Sequence, residues 1–207
     1  MRKLSILFVC ILASCAYTGE YREPPITYSA SMSNGVRFMG IDMIAPLGKP
    51  MEQLKDAYPG EITVDDVKGV AFLRVPDQPS FKDEWGLTRR VSHLDFLSPS
   101  LPDGSYDMAV HEVSIFMSFS GDNLEQGVAG LLGHALKDLS YADYTERQIA
   151  REFVKGNAIG ITFEGRTVKG LITLSHFKGF GVFIMRVSDS GEFFESGKHH
   201  KGGEQKK

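Results

Sequence analysis

The sequence predicts an α+β fold: a largely antiparallel sheet with one long amphipathic helix and a short helix packed on it. Three observations carry that expectation. Residues 108–119 ("MAVHEVSIFMSF") place Ala109, His111, Val113, Ile115, Met117 and Phe119 on one face at the two-residue period of a strand. Residues 124–139 gather Leu124, Val128, Leu131, Leu132, Ala135, Leu136 and Leu139 into an arc of about 140°, the apolar stripe of a surface helix. The last third of the chain then alternates apolar runs with Gly-bearing turns, the pattern of an antiparallel meander. Strands and helices segregated in this way pack as a sheet with helix on at least one face.

Taken in order, residues 36–45 ("VRFMGIDMIA") read as a strand, and "KPMEQLKDAYP" reads as a short helix. Pro50 stands at its tolerated first position, and Pro59 stops it. Residues 67–75 are a strand and residues 76–88, with Pro76, Pro79, Trp85 and Gly86, a loop. Residues 89–97 form another strand, followed by the turn-rich "SPSLPDGSYD". Asp122 is the expected cap of the long helix, with Glu125 in the box position three residues on. Gly127, Gly130 and Gly133 lie off its apolar arc, on a back where another segment could come close or where the helix is simply exposed and weak. Residues 147–154 ("RQIAREFV") read as a strand, Lys155-Gly156-Asn157 as a turn, and three further strands end at Ser188.

This element order resembles the Mog1/PsbP-like domains of bacterial lipoproteins such as the DcrB group, over about residues 34–190. In those domains an N-terminal strand pair precedes a helix and the chain closes in a meander, with a Gly-bearing turn placed like Lys155-Gly156-Asn157. The resemblance implies a single envelope domain and brings no diagnostic motif.

Composition sets the class. The 207 residues are 42% hydrophobic, 11% aromatic and 24% charged, values of a globular chain. The region between the two ends, residues 36–190, is long enough to bury a core without disulfides or a metal. Net charge is −3; Arg2 and Lys3 are the only charges in residues 1–15, so the remainder carries 21 positive and 26 negative side chains, a net of −5. A mildly acidic domain without a dense basic stripe lacks the phosphate contacts of a nucleic-acid binder.

The start of the chain is more specific. In "MRKLSILFVCILASC" a basic n-region precedes about ten apolar residues, too few for the roughly 20 that span a bilayer, so residues 1–15 read as a secretory signal. "LASC", residues 12–15, resembles the lipobox of bacterial lipoprotein precursors. The resemblance implies diacylation of the Cys15 thiol, cleavage just before it and acyl chains that hold the protein in a membrane, its domain outside the cytoplasm. In a two-membrane envelope, Ala16 rather than an Asp after the Cys is similar to lipoproteins passed to the outer membrane; a periplasmic domain follows. Ser14-Cys15-Ala16 also offers the small residues of an ordinary cleavage after Ala16. Cys15 has only Cys10, inside the apolar stretch, as a fellow cysteine, and an unpaired exported thiol favours lipidation. Residues 16–35, with Pro24-Pro25 and several Ser, Thr and Gly, read as a flexible tether reaching about 60 Å at full stretch. Residues 191–207 read as a disordered polar tail.

Candidate chemistry is sparse. His93 and Asp95 sit two apart on a strand and therefore share a face, where they could bind a metal or relay a proton. A surface histidine beside a carboxylate is the plainer alternative. His111 on an apolar face reads as a satisfied semi-core residue, and His134, His176 and His199-His200 have no partners visible in the sequence. No H-E-x-x-H, G-x-S-x-G or Walker-type spacing occurs, and Ser175-His176 point to opposite faces of a strand. No catalytic residue, metal or cofactor is therefore assigned. Phe177, Phe180 and Phe183 cluster around a hairpin, and Phe180, at the turn, is the expected partner contact. Two functions follow: a lipid-anchored envelope protein with a non-catalytic binding or scaffolding domain, its envelope partner unidentified, or an exported metal-dependent or hydrolytic enzyme built on His93 and Asp95.

Overall fold

The computed structural model describes residues 26–32, 35–77, 79–177, 180–191 and 193. Cys15, the rest of residues 1–25 and residues 194–207 lie outside the described residues, so the signal, the lipobox and most of the tail do too.

The strands are β1 (Ile26–Met32), β2 (Arg37–Phe38), β3 (Ile41–Asp42), β4 (Glu61–Asp65), β5 (Val70–Val75), β6 (Phe81–Lys82), β7 (Thr88–Pro99), β8 (Glu112–Ser120), β9 (Leu139–Ser140), β10 (Ile159–Glu164), β11 (Lys169–Phe177) and β12 (Phe180–Ser188). The helices are α1 (Leu124–Leu136) and α2 (Glu146–Val154), with a 3-10 turn at Met51–Leu54. Among the described residues, ten strands join one sheet in the order β4-β5-β7-β8-β12-β11-β10-β1-β9, with β6 on the end of β7. Every pairing is antiparallel except β1 with β10. The fold is α+β with a mostly antiparallel sheet, as the alternation of residues 108–119 and the C-terminal runs predict.

Several expectations need correction. Residues 147–154 are helix, not strand. Thr145 caps α2 through a reciprocal box with Gln148, and Ile149, Ala150 and Phe153 form its buried face. The expected turn at Lys155-Gly156-Asn157 then closes that helix: the Gly156 N–H reaches the Phe153 carbonyl at 2.8 Å and the Asn157 N–H the Glu152 carbonyl at 3.2 Å. Gly156, at φ +95°, supplies the left-handed residue this Schellman closure requires. Within the expected tether, Ile26–Met32 is strand β1, in register with β10 from Ile26↔Ile159 to Ser31↔Glu164. Its Ile26, Tyr28, Ala30 and Met32 pack on the core while Thr27, Ser29 and Ser31 face outward.

Residues 36–45 are not one strand, because a two-residue turn at Met39-Gly40 folds them into the β2–β3 hairpin. The short helix expected after Pro50 is a single 3-10 turn. Helix α1 starts one residue later than expected, capped by Asn123, whose side chain accepts from the Gln126 N–H; Glu125 turns instead to Arg151 of α2 at 2.9 Å. It ends at Leu136, and Leu139 pairs with Met32 as part of β9.

One hydrophobic core lies on one face of the sheet. It takes Phe96, Val113, Ile115, Met117 and Phe119 from the central strands, Val128, Leu131 and Leu132 from α1, Ile149 and Phe153 from α2, and Met51 from the 3-10 turn. The glycine back of α1 is covered as well: Gly127 lies against Leu87 and Gly130 against the Trp85 ring, so the loop at 83–87 comes close there.

Candidate functional site

Residues paired across neighbouring strands point to the same face, so the register shows what the sheet turns away from its core. One row reads Thr173–Ile184–Phe116–His93 across β11, β12, β8 and β7; the row below reads Leu171–Arg186–Ser114–Asp95–Arg74. Val182, Leu97 and Phe72 belong to the flanking rows, and Phe177 opposite Phe180 closes one end. None of these apolar side chains joins the core, while both helices place their buried side chains there. The outer face is thus an apolar and serine-rich surface crossed by charged pairs.

Those pairs are built to two-point geometry. Arg74 holds Asp95 through Nε–Oδ1 at 2.8 Å and Nη2–Oδ2 at 2.6 Å, and its guanidinium also lies 4.8 Å from the Phe72 ring centre. Arg186 holds Glu112 through Nε–Oε1 at 2.6 Å and Nη2–Oε2 at 2.9 Å. The Glu112 side chain is 1% exposed and that of Arg186 16%, and the Phe193 ring lies 5.0 Å above the guanidinium.

The structure places His93 and Asp95 on one face, as their spacing predicts, but does not join them into a reactive pair. A register shift between Val91 and His93 leaves His93 Nε2 at 3.8 Å from Asp95 Oδ2, beyond hydrogen-bond reach. The His93 ring stacks on Phe116 at 4.9 Å. Burial pushes its pKa down, outweighing the upward pull of the Asp95 charge, so the imidazole is neutral near pH 7. Among the described residues, no group of three or more His, Cys, Asp or Glu could hold a metal. Phe180 lies on this same face, half-buried against Phe177 with ring centres 5.4 Å apart, rather than standing out from the turn.

A second polar cluster closes the end of the sheet. His111 bridges two carboxylates, with Nδ1 3.1 Å from Asp189 and Nε2 3.1 Å from Asp107. The buried Ser98 hydroxyl donates to Asp107 at 2.9 Å. Because this serine bonds the acid and not the imidazole, the trio has no activated nucleophile. Burial alone would lower the His111 pKa; the bonds and charges of Asp107 and Asp189 reverse that and raise it. His134 lies edge-on to Trp85, and His176 stacks on Phe153 while meeting the Phe153 carbonyl at 2.7 Å.

Sequence reading missed Arg74, Glu112, Phe116 and Arg186. The alternation Phe72–Arg74 within β5 and Ile184–Arg186 within β12 carried the signal, since each pair must share a face. Comparison with protein-family profiles, curated proteins and solved structures finds no match to this chain. No described helix is long and apolar enough to cross a membrane.

Proposed function

We propose that this chain is a lipid-anchored cell-envelope protein whose α+β domain binds or scaffolds other envelope components without catalysing a reaction. The anchor is Cys15, in a membrane or outer-membrane leaflet, with the domain outside the cytoplasm. The observation that carries the non-catalytic reading is the state of the acids on the outer sheet face. Asp95 and Glu112 are both committed to two-point arginine pairs, and a carboxylate with both oxygens taken up by a guanidinium has little left to offer a substrate or a metal. Around them Phe72, Phe116, Ile184 and Phe180 offer contact area, which suits docking. The same commitment of Asp95 to Arg74 counts against the alternative, an exported enzyme using His93. A Mog1/PsbP-like domain remains part of this reading, supported by the order of an early strand and hairpin, helices and a closing meander.

Fractionation tests the anchor. Cells making the native chain should incorporate labelled palmitate into it and keep it with membranes, and Cys15→Ser should abolish the label and release the domain. An unmodified amino terminus at Tyr17, or a Cys15→Ser product that stays with the membranes, would overturn the assignment.

A further inference from the structure

We propose that His111 is a proton-operated clasp where the chain leaves strand β12: as a doubly protonated ring it ties Asp189 to the loop ahead of β8, and on losing a proton it releases Asp189 while keeping Asp107. The clasp goes beyond the proposed docking role and stands without it. Its ground is that both ring nitrogens face carboxylate oxygens. Nδ1 lies 3.1 and 3.3 Å from the two oxygens of Asp189, and Nε2 lies 3.1 Å from Asp107 Oδ2. An ionised carboxylate only accepts, and a neutral imidazole donates through one nitrogen alone. A neutral ring would turn a lone pair on one of the two acids, so this arrangement belongs to the imidazolium.

Asp107 and Asp189 are the charged groups that face the ring. The nearby cations are engaged elsewhere: Arg186 holds Glu112, and Lys169, opposite Ser188, lies 3.7 Å from Glu164. Burial lowers the His111 pKa, and the bonds and charges of the two acids more than reverse this. The clasp is therefore shut below about pH 6.5 and opens as pH climbs through the elevated value.

The two arms are unequal. Asp107 Oδ1 also accepts the Ser98 hydroxyl from β7 and the Ala109 N–H, each at 2.9 Å, so that carboxylate keeps its place whatever the ring does. The His111 N–H is fixed in turn to the Leu97 carbonyl at 2.8 Å. Among the described residues the Asp189 carboxylate bonds His111 alone, and its N–H meets the His111 carbonyl at 3.2 Å. When one proton leaves, the ring keeps Nε2–H toward the pinned Asp107 and aims the Nδ1 lone pair at Asp189, which swings out to water. The segment that Asp189 leads also carries the Phe193 ring to 5.0 Å from the Arg186 guanidinium. Release thus reaches the outer sheet face through that contact.

Nitrogen-15 NMR of the imidazole, in the full chain carrying Cys15→Ser, tests the clasp between about pH 5 and pH 9. Both nitrogens should be protonated at the acid end, and Nδ1 alone should lose its proton. Over the same range the Asp189 amide, its exchange rate divided by the intrinsic rate at each pH, should lose protection at least about threefold while the His111 amide holds. Asp189→Asn should lower the His111 midpoint. Because its amide can donate to a bare Nδ1, it should also keep residue 189 protected at both ends of the range. Loss of the Nε2 proton instead, a midpoint unmoved by Asp189→Asn, or equal protection of the native Asp189 amide at both ends overturns the proposal.

Discussion

Gly130→Ala and Gly133→Ala add the same methyl group to helix α1 less than one turn apart. In a helix interior, alanine gains about 1 kcal/mol over glycine through backbone entropy, and this gain is common to both. The surroundings differ. A Cβ at Gly133 meets nothing within 4 Å, so the gain stands alone and the melting temperature should rise by about 2–4 °C. A Cβ at Gly130 would sit 2.3 Å from Trp85 Cδ2 and 2.4 Å from Cε2, where carbon atoms need about 3.5 Å.

The indole must therefore retreat by more than about 1 Å. It is held on its other sides by the Arg89 guanidinium at 4.9 Å and the edge of His134 at 4.8 Å. Overpacking of this kind costs about 1–3 kcal/mol, which exceeds or cancels the propensity gain. The two variants should differ by about that amount, with Gly130→Ala the less stable. Urea unfolding of the Cys15→Ser chain, followed by emission of Trp85, the chain's single tryptophan, measures both. Gly130→Ala should also shift the native emission. If both variants stabilise equally and the emission of Trp85 does not change, the close approach of the 83–87 loop to α1 is wrong.

Arg186→Met removes both guanidinium bonds from the buried Glu112 and should cost about 3 kcal/mol or more, read as a lower urea midpoint; a loss below about 1 kcal/mol would show that water reaches this carboxylate. Thr145→Ala deletes one half of the α2 capping box and should cost about 1 kcal/mol in the same assay, with no change in far-UV signal at low urea. The His111 pKa is raised in the folded protein, so its bridge contributes stability fully below about pH 6.5 and loses it as pH rises through the elevated value. The stability advantage of the native chain over His111→Gln should therefore be largest near pH 6 and shrink toward pH 9; an advantage that grows with pH would refute the bridge.

What the sequence made legible was local. The two-residue alternation of β8 follows from one element burying one face, and a helix does form over Leu124–Leu136, though it is shorter than the expected stripe and its glycine side is covered too. Strand β1 has the same alternation, Ile26, Tyr28, Ala30 and Met32 against Thr27, Ser29 and Ser31, but only Ile26 among its inward residues is a strong strand former of high hydropathy and two prolines precede it, so the stretch reads as linker. Helix α2 announced itself by Thr145 and Gln148 three apart; its charged residues Arg147, Arg151 and Glu152 obscured a buried face of only Ile149, Ala150 and Phe153.

The candidate site was harder for a different reason. That His93 and Asp95 share a face follows from strand geometry, but the arginine that takes up Asp95 is 21 residues away, and the one that takes up Glu112 is 74 away. Such partners depend on strand order, which the sequence pattern does not specify. The outer apolar face was hidden for a related reason: in a strand buried on one side and half-covered on the other, Phe116 or Ile184 looks like any core residue.

Strand β1 also bears on how the domain would meet a membrane under the proposed anchor at Cys15. The first described strand begins at Ile26, ten residues beyond position 16, and residues 16–25 span at most about 35 Å at full extension. A lipid anchor at Cys15 would thus keep the domain near the headgroups, hunting laterally for its neighbours. Any tug along that stretch would load β1 lengthwise against β10, where its hydrogen bonds must shear together before the strand can peel away.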